Sequence, residues 1–316
     1  MPIWRLFIVL CLACVPFRLS LAGVPTDKVT IVLSEESGAH AQVANQLRIT
    51  LGEGTTARLA VREMPLSALK QGDPLPADPG QLWVAVGTGA MQALAQKKPP
   101  QAILNVLVPR AAFEKIAKQG GRFADHRRYS AIFLDQPWGR QFALIRLALP
   151  KLNRVGILLG PDSADLAPAL RGAARAVGLS AIIAQVDKEA DLLPALKKLL
   201  DECDALLAVP DPLLYNRNTA QTILLTTYRH RIPLFGFSPS YVKAGALAAV
   251  YSLPEHIGRQ AAETIRHFAE QRSFQPQSPR YFSIGVNQQV ARSLELELDD
   301  ETTLNNKLKT LAEAEP

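Results

Sequence analysis

The sequence predicts an α/β protein of two doubly wound parallel-sheet lobes, with a hinge and a cleft between them. Three observations carry this. Short apolar runs without strict alternation recur along the chain, as in strands buried on both faces of a parallel sheet. Helical periodicity follows most of them. The whole βα series then occurs a second time, each series spanning about 110–120 residues, with the boundary near Asp135-Gln136-Pro137.

The chain opens on a targeting pattern. Arg5 is a short positive region, residues 6–17 are apolar and broken only by Pro16, and Ser20-Leu21-Ala22 offers small residues for cleavage. Residues 1–22 are therefore read as a signal peptide that directs the protein to the periplasm. Acylation at Cys14 is the alternative, but the usual Leu three residues earlier is absent. Past this segment no apolar run approaches the length of a membrane-spanning helix.

In the first series, residues 29–33 are a β-branched strand that Ser34-Glu35-Glu36-Ser37-Gly38 breaks. Val43, Leu47 and Leu51 recur at i, i+4 and i+8 and mark a helix over 39–51. A strand over 57–61 precedes a Pro- and Gly-rich loop over 66–80. Residues 82–86 form a strand ended by Gly87-Thr88-Gly89, with a helix to Lys97. A strand over 102–108, a helix over 110–119 and a strand over 129–134 follow.

In the second series, Trp138, Phe142, Ile145 and Leu149 share one helical face, which Pro150 ends. Strands are expected over 155–159, 181–186, 205–209, 233–237, 246–250 and 282–286. Helices are expected after Ser163 to 177, then over 191–200, 216–230, 254–271 and 287–294. The tail after 299 is polar and acidic and is expected to fray.

Several classes of chemistry are excluded. Gly87-Thr88-Gly89 lacks a third dinucleotide glycine, since position 92 is Gln92, and no Walker lysine follows. Gly236-Phe237-Ser238-Pro239-Ser240 ends in Ser where a nucleophile elbow needs Gly, and Pro239 has no N–H for an oxyanion. The five histidines and the single mature cysteine, Cys203, fit no metal spacing. No cofactor is called for. Net charge is +6, falling to +4 without Arg5 and Arg18; residues 295–316 carry −5, so the body is near +9. The basic clusters Arg127-Arg128 and Arg229-His230-Arg231 lack interleaved aromatics, and nucleic-acid binding is not expected.

What remains is a constellation for binding. Doubly wound sheets hold ligands beyond the carboxyl ends of their strands. That edge carries Ser34, Glu35, Thr88 and Gly89 in the first series and Ser163, Asp211, Tyr215, Ser238 and Tyr241 in the second. Helix N-termini suit a ligand carboxylate, Asp211 or Glu35 suits an ammonium, and the tyrosines suit an apolar ring. Each residue also has a purely structural reading as a cap or as packing.

One run of patches resembles a known family. It comprises Asp135-Gln136-Pro137, Leu149-Pro150-Lys151-Leu152-Asn153-Arg154-Val155-Gly156, Val209-Pro210-Asp211, Pro233-Leu234-Phe235-Gly236-Phe237-Ser238, Lys243-Ala244-Gly245-Ala246, Gly258-Arg259-Gln260-Ala261-Ala262 and Val286-Asn287. In this order they resemble the ABC-transporter substrate-binding proteins whose characterised members bind tryptophan or tyrosine, with the type I periplasmic-binding-protein fold. The likeness covers about residues 129–294; residues 24–128 match only in strand rhythm.

The resemblance implies a non-enzymatic solute-binding protein, monomeric, that takes a small-molecule ligand, such as an amino acid, and delivers it to a membrane permease. It also implies discontinuous lobes, 24–134 plus 252–280 and 135–251 plus 281–300, with 301–316 as tail. The chain then crosses at Asp135 and Gln136, near Ser252 and near Tyr281. A periplasmic sensor signalling to a membrane kinase or receptor has the same sequence features. A cleft enzyme is a further alternative, and it requires an acid/base pair within hydrogen-bond reach.

Overall fold

The computed structural model describes residues 28–53, 59–69, 75 and 78–314. The leader 1–22 and the start of the second expected strand lie outside the described residues.

The first sheet is built from β1 (Lys28–Leu33), β2 (Ala60–Pro65), β3 (Gln81–Val86), β4 (Ala102–Val108) and β5 (Tyr129–Phe133). Its helices are α1 (Gly38–Gly52), α2 (Thr88–Lys97) and α3 (Arg110–Ala117). The strand order is β2-β1-β3-β4-β5, all parallel. β1, β3 and β4 are almost wholly buried, which is why their sequences are unbroken Val, Ile and Leu. β2, at the edge, is largely exposed and mixed in polarity, so its sequence carries a weak strand signal.

The second half holds α4 (Trp138–Ala148), β6 (Arg154–Leu159), α5 (Ala167–Ala176), β7 (Ser180–Gln185), α6 (Leu192–Leu200), β8 (Ala205–Leu207), α7 (Ala220–Arg229), β9 (Leu234–Gly236), α8 (Pro239–Ala244) and β10 (Ala248–Tyr251). After it come α9 (Pro254–Gln271), β11 (Ser283–Val286), α10 (Gln288–Ser293) and α11 (Glu301–Ala314). The sheet order is β11-β10-β9-β8-β6-β7.

α9 packs on α1, although some 200 residues separate them. Ile257, Ala261, Ala262, Ile265 and Phe268 join the core of the first sheet. Gly258 permits the approach: a Cβ there would sit 2.6 Å from the Val43 carbonyl oxygen and 2.8 Å from Gln46 Cβ. Arg266 then caps the far end of α1 through the carbonyls of Thr50 and Glu53. The chain continues beside β5, where Gln277 bridges Ile132, before it enters β11.

Two sequence expectations are corrected. β11 is antiparallel to β10, not parallel. The segment between them leaves for the first sheet and returns from the crossing side, so no helix on the second sheet reverses the chain. The tail is not frayed: α11 lies against α4, with Leu304 and Leu308 inside the second core. Its start is fixed by Asp300, which accepts from Thr303 N at 2.7 Å, and by Glu301, which accepts from Val286 N at 2.8 Å. Among the described residues no helix is long and apolar enough to cross a membrane.

Candidate functional site

Each sheet reverses its winding between its first and third strands. The loops after β1 and β3 flank one switch point, and the loops after β6 and β8 flank the other. These are the positions where such sheets hold ligands.

At the first switch point the structure gathers Ser34, Glu35, Thr88 and Gly89. Ser34 Oγ accepts from Ala90 N at 2.8 Å and so tethers the β1 loop to the start of α2. Gly87 makes the turn at φ +89°, where a Cβ would meet His40 Nε2 at 2.4 Å and Ser34 Oγ at 2.7 Å. Only glycine is at ease in that conformation and that space. Thr88 and Gly89 are half-buried. Glu35 lies 3.8 Å from His40 Nδ1 with its side chain 72% exposed, beyond hydrogen-bond reach for acid/base work.

At the second switch point Ser163 and Asp211 are 1% and 3% exposed. Ser163 Oγ donates to Asp211 Oδ2 at 2.8 Å and accepts from Gly160 N at 2.9 Å. Asp211 Oδ1 accepts from Leu213 N at 2.9 Å. Gly160 leaves room for this carboxylate, since a Cβ there would sit 2.4 Å from Asp211 Oδ1. The pair locks the two loops together. The other residues form an aromatic wall: Tyr215, Phe237 and Tyr241 have ring centroids 4.5–6.0 Å apart. Burial, then the neighbouring Tyr241 and Asp211, push the Tyr215 phenol pKa up. Ser238 caps α8, accepting from Tyr241 N at 3.4 Å.

A chamber of about 250 Å³ opens between the two sheets. Pro109 and Leu134 line it from the first, Pro210, Phe237, Ser238 and Pro239 from the second, and Asp135, Gln136, Trp138, Gln141 and Ser252 from the crossing side. Its wall is predominantly apolar. Of the nine residues that the sequence offers as ligand contacts, Ser238 alone is in this lining, while Ser34, Glu35, Thr88, Gly89, Ser163, Asp211, Tyr215 and Tyr241 lie outside it; Phe237, Trp138, Leu134 and Gln141 read in the sequence only as strand end or helix face. An aromatic one residue past an apolar strand was the available signal for Phe237.

The crossing residues meet. Gln136 Nε2 donates to Ser252 Oγ at 2.9 Å, and Ser252 Oγ donates to Tyr281 O at 2.5 Å. Asp135 Oδ2 accepts from Arg110 N at 2.6 Å and caps α3. Burial raises the Asp135 pKa despite that bond. Gln136 Oε1 also accepts from Arg140 Nη1, which reaches Pro279 O. Among the described residues no cluster of His, Cys, Asp and Glu could hold a metal.

Two α/β lobes with facing carboxyl edges, a chamber between them and three hydrogen-bonded crossings define a protein of the periplasmic-binding-protein class. The profile described as ABC transporter substrate binding protein matches residues 135–306, just over half of the chain, and the chain belongs to that family. Its fold is similar to that of a substrate binding protein with adhesive properties from Clostridium difficile, in a ligand-free, open structure (16% identity, 87% of this chain, 96% of that one, TM-score 0.66). It is also similar to a conserved domain protein from Vibrio cholerae (20%, 89% and 98%, 0.59). A third likeness is to an ABC domain in complex with L-Trp from Streptococcus pneumonia (14%, 88% and 97%, 0.57). Among curated proteins none matches in sequence.

Proposed function

We propose that this chain is a periplasmic solute-binding protein of an ABC uptake system and that it closes on a small organic ligand, an amino acid with an apolar side chain. The observation that carries this is the apolar chamber between the carboxyl edges of the two sheets, beside the three crossings. An apolar group fits against Trp138, Leu134 and Phe237, and few polar groups then fix its orientation. Ser34, Glu35, Thr88 and Gly89, outside the chamber lining at the first switch point, reach the polar end of the ligand only when the lobes close. Ser238 and Phe237 wall it from the second, backed by Tyr215 and Tyr241, with Ser163 and Asp211 ordering the loop beneath. Asp135, Gln136, Ser252 and Tyr281 are the hinge. The secretory pattern of residues 1–22 supports the location, and the L-Trp in the Streptococcus structure supports the ligand class.

A thermal-shift series of amino acids, peptides and nucleobases tests this. A true ligand at 100 times its dissociation constant stabilises by about 2.7 kcal/mol. Small-angle scattering with the best hit should show a smaller radius of gyration, since contacts to both lobes exist only when they close. Stabilisation by nucleobases alone overturns the amino-acid assignment. Confirmed binding with no contraction overturns the hinge.

A further inference from the structure

Six Lys and Arg residues fall in the two segments 97–101 and 118–128, against the single carboxylate of Asp125. The fold brings both segments to the amino end of β4 and β5, the opposite edge of the sheet from the chamber. Arg122 donates to Lys98 O and Gln101 O, both at 2.9 Å. Arg128 donates to Pro100 O at 2.6 Å. Two guanidiniums therefore share one loop. Burial, and then the charge of Arg128, hold the Arg122 pKa below its ordinary value.

Among the described residues no carboxylate forms an ion pair with Lys98, Lys118, Arg122, Arg127 or Arg128. Six basic side chains gathered around one carboxylate disfavour the folded state by their mutual repulsion and favour a partner of opposite sign. Phe123 within these segments and Tyr129 next to them are 4% and 1% exposed. They offer no platform for base stacking, which disfavours single-stranded nucleic acid. The family works beside a membrane permease, so anionic headgroups are the polyanion within reach.

We propose that this edge of the first lobe docks on anionic phospholipid headgroups and holds the protein at the membrane with its chamber free. The test is flotation of the purified full chain with phosphatidylcholine vesicles, with and without phosphatidylglycerol. Lys98→Gln/Arg127→Gln is the variant, because neither side chain makes a hydrogen bond that orders the loop, and a circular-dichroism melt checks that it folds like the wild type. Both proteins carry the apolar segment 6–17, so the difference between them reports the patch. Phosphatidylglycerol should add binding over phosphatidylcholine alone, and that added binding should disappear at high salt and weaken ~30-fold in the variant, from about 1 kcal/mol for each charge near such a surface. Equal binding by wild type and variant overturns the proposal, as does no binding to anionic vesicles at low salt. Retention on a DNA duplex without vesicle binding overturns it in favour of nucleic acid.

Discussion

At the switch point of each sheet a serine reaches across to the loop of the neighbouring strand, yet Ser34 and Ser163 meet different partners. Ser34 accepts a backbone N–H from the start of α2, and the polar residues around it stay accessible, Glu35 most of all. Ser163 donates into the Asp211 carboxylate, and both are sealed from solvent. In the second lobe the serine and the carboxylate thus satisfy one another beneath a cluster of aromatic rings, while the first lobe keeps polar groups accessible around its serine. The lesson is that carboxyl-edge position alone does not distinguish a ligand contact from a brace; burial and partner count do.

The largest expected effect is on the brace. Asp211→Ala leaves the Ser163 hydroxyl and Leu213 N–H without their acceptor and opens a gap beside Gly160. Denaturant unfolding should show a loss of about 2–4 kcal/mol. Asp211→Asn keeps an acceptor for Leu213 N and should cost much less. An Asp211→Asn protein with unchanged stability and lost ligand affinity would instead make Asp211 the partner of a ligand ammonium.

The two glycines sharpen the contrast. Gly160→Ala and Gly87→Ala should each cost about 1–3 kcal/mol through overpacking. Gly160 has only a steric reason to be glycine, the Asp211 carboxylate. In an Asp211→Ala background the Gly160→Ala cost should therefore largely vanish, a coupling that a double-mutant cycle measures. Gly87 is also held at positive φ. Its cost should persist in a His40→Ala background, and full relief there would break the distinction.

Ser34→Ala should cost about 1 kcal/mol, the worth of one ordinary hydrogen bond. If it costs as much as Asp211→Ala, the two serines are equivalent braces and the contrast between the lobes fails.

Much of this was legible because buried parallel strands read as continuous apolar runs. Residues 102–108 and 254–271 were placed at their observed bounds. α8 gives no sequence signal, since it is only six residues long and begins at Pro239, too short for periodicity to register. α11 is hard to see in the sequence because Leu304, Leu308 and Leu311 are sparse among polar and charged residues, which hide their helical spacing. In the site, Ser238 is legible from its position just past an apolar strand. The apolar half of the chamber was not: Leu134, Trp138 and Phe237 look the same in sequence whether they face a core or a crevice. Only the meeting of the two lobes decides that.

The smallest effects separate two carboxylates by the sign of their pH dependence. Burial raises the Asp204 pKa, but the Arg154 guanidinium at 2.7 Å and the backbone N–H groups of Arg154 and Asn153 outweigh it, and the net shift is downward. Its contribution to stability is present above the ordinary carboxylate pKa and is lost as pH falls through the lower folded value. At Asp135 burial wins over the Arg110 N–H bond, and the shift is upward. Its contribution is present in acid, below the ordinary carboxylate pKa, and is lost as pH rises through the higher folded value. Asp135→Asn keeps an acceptor for Arg110 N and removes the charge. It should match the wild type in acid and exceed it at neutral pH, by no more than about 1 kcal/mol. Asp204→Asn should also match in acid but fall below the wild type at neutral pH. Urea unfolding of both variants across this range reads the two signs directly. An Asp135→Asn protein less stable than the wild type at neutral pH would mean that the attraction of Arg110 for the charged carboxylate exceeds the penalty of burying it.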